Sequence, residues 1–117
     1  EEAADIFSIK VTKNGGIMPA KQICEFAEAH GIKLFFNSMI EEGLTQAASL
    51  ALGVSSENLF SGIGHAYFSP QRLESDLTDY IDHIKRGYIN AIDAPGLGVK
   101  LNSNAMKKYT VATYTVK

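Results

Sequence analysis

The chain has 117 residues, 45% of them hydrophobic and 21% charged, with a net charge of −2 and a pI of about 5.9. That is one domain of ordinary globular composition, without the basic field that nucleic acid or an anionic membrane surface would need. A single cysteine, Cys24, no apolar run near the ~18 residues of a membrane span, and the acidic start "EEAADIF" predict a soluble, cytoplasmic chain without disulfide, leader or membrane partner.

"DIFSIKV" (5–11) is short and rich in β-branched and aromatic residues, which predicts a strand. "GIMPAKQICEFAEAH" (16–30) repeats Ala20, Ile23, Phe26, Ala27 and His30 at helical spacing. Pro19 suits its first turn and Gly31 the left-handed position after its last. "IKLFF" (32–36) is the next strand. "EEGLTQAASLALG" (41–53) is a helix with glutamate in its first turn, where the dipole favours it. "ENLFSG" (57–62) predicts a third strand. Strands starting near 5, 32 and 58 make a β-α-β-α-β rhythm, hence a parallel sheet with helices over it.

Beyond residue 64 the rhythm stops. "SPQRLESDLTDY" (69–80) predicts a short helix capped by Ser69, with Pro70 at its first position. "YIDHIKRGYINAI" (80–92) reads as two extended runs joined at "KRG", and "APGLGV" (94–99) as a loop. "NSNAMKKY" (102–109) is a short helix and "TVATYTV" (110–116) an edge strand.

In a parallel α/β sheet, ligands bind beyond the C-terminal ends of the strands. "KNGG", "NSMIEEG" and "SGIGHAYF" belong there. Alternation along the first strand puts Phe7, Ile9, Val11 and Lys13 on one side and Ile6, Ser8, Lys10 and Thr12 on the other. If the apolar trio faces an interior, Lys13 projects from its mouth and Lys10 falls toward the helices. Lys13 is then either a solvated strand-end charge or a group aimed into a site. Gly15-Gly16 offers a turn able to cradle an anion, without the surrounding pattern of a nucleotide loop. Glu41 and Glu42 are helix-start carboxylates or ligand contacts. His65 is a ligand contact or a structural histidine, and Cys24 a small core residue. His30 and His83 carry no role. No histidine or cysteine pair shares a metal-ligand spacing.

"DIFSIKVTKNGGIMPAKQICEFAEAHGI", then "NSMIEEGLTQAASLAL", then "APGLGVKLN" together resemble the enolase superfamily, in its muconate lactonizing enzyme and mandelate racemase type. The family's K-x-x-K-x-G-G pattern corresponds to Lys10 through Gly16, its Met- and Glu-containing loop to Ser38 through Glu41, and its P-G-L-G to Pro95 through Gly98. The resemblance implies that residues 1–117 are the C-terminal portion of a (β/α)₈ barrel, strands six to eight plus a tail. The capping domain and earlier strands would lie outside these residues, since a whole barrel takes about 250 residues. It further implies a Mg²⁺-dependent cycloisomerase, racemase, epimerase or dehydratase, homo-oligomeric in full length. Such an enzyme moves a proton next to the carboxylate of a small substrate. Lys13 corresponds to the catalytic lysine, and Asn37, Ser38, Met39, Glu41 and His65 to substrate contacts. Mg²⁺ ligands are expected in other parts of the protein, with none among these residues. By themselves the 117 residues would then be inactive. The eighth-strand acid of many members has no counterpart in "SGIGHAYF". The competing reading is a self-contained α/β module binding a small anion at Gly15-Gly16.

Overall fold

The computed structural model describes residues 3–62 and 65–116. Two strands, β1 (Ile6–Ile9) and β2 (Lys33–Phe36), pair in parallel, with Phe7 opposite Leu34 and Ile9 opposite Phe36. Between them runs α1 (Ile17–Ala29), and after them α2 (Gly43–Val54). This is the predicted rhythm, with boundaries drawn in by a few residues. Gly31, at φ 69°, takes the left-handed position that follows α1.

Both helices cover one face of the sheet. Ile9, Leu34 and Phe36 form a single core with Ala20, Cys24 and Ala27 of α1 and Ala47 and Leu50 of α2. The alanines let the helices approach the strands closely. Burial makes Cys24 a core residue and pushes its thiol pKa up. Phe26 departs from the expected stripe. It is exposed and stacks on His30, with ring centroids 4.1 Å apart.

The third strand is reduced to one parallel bridge between Leu34 and Leu59. Leu34 N–H donates to Asn58 O at 3.0 Å, and Phe60 N–H to Leu34 O at 2.8 Å. Asn58, Ser61 and Gly62 are poor strand formers, and only Leu59 and Phe60 in this segment favour extension. The ladder resumes where Ala66 N–H donates to Phe36 O at 3.0 Å. Ile63 and Gly64 lie outside the described residues.

Glutamate does not open α2 in the expected way. Glu41 and Glu42 precede the helix, whose first turn holds no acid. The cap comes from far along the chain: Asp76, buried, accepts from Gly43 N–H at 2.7 Å and from Thr78 N–H and O–H at 2.7 and 2.8 Å. A side chain at Gly43 would lie 2.4 Å from Tyr80 Cβ, so only glycine admits this approach.

The later segments shorten similarly. A 3₁₀ turn covers Ser69–Arg72, but Ser69 does not cap it. Its hydroxyl donates instead to Glu41 O, at 2.6 Å. A second 3₁₀ turn covers Tyr80–His83, where extended chain was predicted. The turn at "KRG" is present, with Arg86 and Gly87 at positive φ and Lys85 bridged to Tyr88. The helix α3 (Ser103–Tyr109) is capped by Asn102, whose side chain accepts from the Asn104 and Ala105 N–H groups. The predicted edge strand at 110–116 is unpaired, and Val111 is 99% exposed. β-Propensity without a neighbouring edge makes no strand. No helix of the described residues is long and apolar enough to cross a membrane.

Candidate functional site

The helix-covered face is closed, so the other face of the sheet is the one that can meet a ligand. Its residues are Ile6 and Ser8 of β1 and Lys33 and Phe35 of β2. Lys10 and Asn37 continue the same parity just past the strand ends, where Asn37 N–H donates to Ile9 O at 2.9 Å. Asn37 Nδ2 then reaches Ser8 Oγ across the pair, at 3.4 Å.

This puts Lys10 on the side opposite to the one expected. Ile9 and Val11 pack among the helices, so the apolar trio faces outward to the helix layer and Lys10 faces the open side. Lys10 is half-buried, and its Nζ approaches Met39 Sδ at 3.6 Å. Lys13 does not share the parity of Ile9, because alternation holds only while the backbone is extended. β1 ends at Ile9, and Lys13 N–H and Asn14 N–H both return to Lys10 O at 3.0 Å. Lys13 lies exposed on that turn. The geometric ground for choosing Lys13 over Lys10 is therefore absent.

Lys10 N–H donates to Asn14 Oδ1 at 3.0 Å, and Gly16 N–H to Val11 O at 2.9 Å. Four N–H groups of the turn are thus held within it, and the Gly16 N–H is not presented to an anion. Gly15 and Gly16, at φ 85° and 105°, supply backbone angles that other residues rarely adopt.

The loop after β2 carries the remaining candidates. Asn37, Ser38 and Met39 line a cavity of about 410 Å³ with Ala66, Phe68, Ser69 and Arg72. Glu41 stands beside them in a directed hydrogen-bond network. Gln46, fully buried, donates through Nε2 to Ser38 Oγ at 2.5 Å and to Ser69 Oγ at 2.6 Å. Ser38 O–H donates to Glu41 Oε2 at 2.6 Å, and Thr12 O–H to Glu41 Oε1 at 2.7 Å. Thr12, Gln46, Ser69 and Arg72 escaped the sequence reading. They are ordinary polar residues far apart in the chain, and Pro70 after Ser69 was the only local signal.

His65 does not line that cavity. Its Nδ1 accepts from Phe36 N–H at 2.9 Å, and its ring stacks on Phe35 with centroids 5.5 Å apart. It holds the end of β2 where a neighbouring strand's carbonyl would. Burial pushes its pKa below the ordinary histidine value, against a smaller opposite effect from a backbone hydrogen bond at Phe60. The folded state therefore favours neutral His65. Its contribution to stability is complete above about pH 6.5, the unfolded value, and is lost as pH falls from there through the lower folded value. Denaturant titrations at pH 7.5 and 5.5 should show lower stability at 5.5, with His65→Gln shrinking that difference. An unchanged difference would exclude His65 as its source.

Among the described residues no three His, Cys, Asp or Glu side chains come together where a metal ion could sit. These residues by themselves do not fit a Mg²⁺ site.

Residues 1–105 match the family described as enolase C-terminal domain-like. Muconate cycloisomerase 1-1 of Acinetobacter lwoffii is 31% identical over 92% of the chain and 28% of its own length. N-succinyl-L-Arg/Lys racemase of Bacillus cereus is 30% identical over 94% of the chain and 28% of its own length. The crystal structure of the Bacillus cereus N-succinyl Arg/Lys racemase superposes with a TM-score of 0.85 over 95% of the chain and 29% of that protein, at 30% identity. The chain thus spans under a third of the length of the relatives it matches. On that match and these likenesses in sequence and fold, the chain is a member of the enolase superfamily, of the muconate lactonizing and mandelate racemase type.

Proposed function

We propose that this chain is the sixth-to-eighth-strand sector of a (β/α)₈ barrel. In it, Lys10 exchanges a proton with the carbon next to the carboxylate of a small substrate. Relatives named muconate cycloisomerase, o-succinylbenzoate synthase and N-succinyl-L-Arg/Lys racemase support an isomerase or lyase reaction. The observation that carries the reading is the setting of Lys10. It is half-buried on the open face, and among the described residues its ammonium meets the Met39 thioether, a weak acceptor, at 3.6 Å. By contrast, Lys21 is paired with Glu25 at 2.9 Å and Lys108 with Glu74 at 3.2 Å. The Lys10 ammonium is thus not committed to a carboxylate of the described residues and is free to meet a ligand on the open face.

The remaining assignments follow the cavity. Asn37, Ser38 and Met39 contact substrate, and Arg72 on the cavity wall supplies the donors for an anionic group. His65 supports the end of β2. Mg²⁺, which the family implies, would take its ligands from outside these residues. The complete protein is a soluble, cytoplasmic homo-oligomer without nucleic-acid or membrane partners. The 117 residues alone are inactive.

The test is proton NMR of candidate N-acyl amino acids and unsaturated diacids with the complete protein in deuterated buffer. Loss of the signal next to the carboxylate is the expected result. Retention across both substrate classes would overturn the reading.

A further inference from the structure

We propose that Glu41 is a positioning residue, whose carboxylate is the strut that fixes the turn bearing Lys10 against the loop after β2. The proposal rests on Lys10 being the proton-transferring group. Two side-chain hydrogen bonds join that turn to the loop among the described residues. One is the soft contact of Lys10 Nζ with Met39 Sδ at 3.6 Å. The other is Thr12 O–H donating to Glu41 Oε1 at 2.7 Å. Thr12 lies two residues beyond Lys10, on the turn closed by the Lys13 and Asn14 N–H groups.

The other end of the strut is anchored more deeply. Ser38 O–H donates to Glu41 Oε2 at 2.6 Å. The Glu41 main chain is held by Ser69, which takes its N–H at 3.2 Å and donates to its carbonyl at 2.6 Å. Gln46 holds both serines from beneath and is itself wholly buried. The Ser38 hydroxyl also has Met39 O at 2.5 Å as an acceptor. With Gln46 Nε2 donating to each serine, Ser69 gives its proton to Glu41 O, and Ser38 shares its proton between Glu41 Oε2 and Met39 O. The network therefore converges on Glu41 from α2 and the 69–72 turn and leaves it through Thr12.

One observation and one electrostatic argument separate this role from substrate contact. Each carboxylate oxygen already holds a hydroxyl proton. In addition, a second carboxylate brought close would be repelled, so Glu41 suits a carboxylate substrate poorly as a direct partner. Charge at Glu41 is not what the strut needs. A glutamine there accepts from Thr12 through its oxygen and donates through its nitrogen to Ser38. The Ser38 proton then turns to Met39 O, 2.5 Å away.

The experiment uses the complete protein with Glu41→Ala, Glu41→Gln, Thr12→Val and the double variant Thr12→Val/Glu41→Ala. It reads kcat and KM for proton exchange with solvent, the pH profile of kcat, and amide hydrogen exchange at Lys13, Asn14 and Gly16. Glu41→Ala should lower kcat by roughly tenfold to a hundredfold, the scale of a displaced reacting group, with KM within about twofold. It should also speed exchange of those three amides. Glu41→Gln should restore kcat and leave the pH profile unmoved. The double variant should be no worse than Glu41→Ala, since Thr12 acts through Glu41. A change in KM alone, a Glu41→Gln variant as impaired as Glu41→Ala, or additive losses in the double variant would overturn the proposal. So would unchanged amide exchange in both Glu41→Ala and Thr12→Val. A protein that exchanges no substrate proton yet loses amide protection in those variants would keep the strut and remove the assigned reaction.

Discussion

Lys10→Ala should lower the rate at which the complete protein exchanges its substrate's α-proton by about 10²–10⁴-fold, the usual contribution of one acid–base group. The fold should survive, because Lys10 belongs to the open face and contributes nothing to the helix-covered core. Lys13→Ala should change the rate by no more than about twofold, since Lys13 is exposed on the turn and offers only its backbone N–H to Lys10 O. Proton NMR in deuterated buffer measures both. The reverse outcome, with Lys13→Ala inactive and Lys10→Ala normal, would return the catalytic role to Lys13. Rescue separates chemistry from packing: added ethylamine should restore part of the lost rate to Lys10→Ala.

Tyr80→Ala should be the most destabilising single change in this part of the protein, by about 3–5 kcal/mol. Tyr80 is the largest fully buried side chain among the described residues. It packs where three parts of the chain meet: beside Gly43 at the start of α2, against the Asp76–Thr78 cap, and onto Tyr67, whose carbonyl accepts its O–H at 3.2 Å. Burial pushes its phenol pKa above the ordinary tyrosine range, so it stays a donor at any pH the protein meets. Tyr80→Phe keeps the ring and removes one hydrogen bond, for which about 1 kcal/mol is the expected loss. Urea titrations of the complete protein check the pair. Equal losses from the two variants would mean the hydroxyl, rather than the ring, carries the site.

Both results depend on placements that differ in how far they could be read from residue order. The β-α-β-α rhythm was legible because each signal is local. Strand composition, helical spacing and Gly31 after α1 all fall within one element. Cys24 was readable as core for the same reason, and the K-x-x-K-x-G-G pattern was enough to suggest the family. The sheet's open face was not legible. Ile9 and Val11 are apolar under either assignment, and only the helices packing on them decide which side is closed.

Lys13 illustrates the limit sharply. Period-two alternation carried it inward from Phe7 and Ile9, but the backbone leaves the extended state at Lys10, where two N–H groups converge on one carbonyl. Parity has no meaning past that point. The third strand and the 110–116 segment failed similarly, since strand character needs a paired edge and not propensity alone.

Residue order by itself determined the alternation of elements, the turns at Gly15-Gly16 and Arg86-Gly87, and the polar loops beyond the strand ends, because backbone preference and side-chain period act over a few residues. Tertiary structure alone decided that Lys10 faces the open side, that Asp76 caps α2 from 33 residues away, and that Glu41 joins Thr12 to Ser38. The Thr12–Glu41 and Gly43–Asp76 contacts link residues 29 and 33 apart, and no local preference favours one distant partner over another until the core has brought them together.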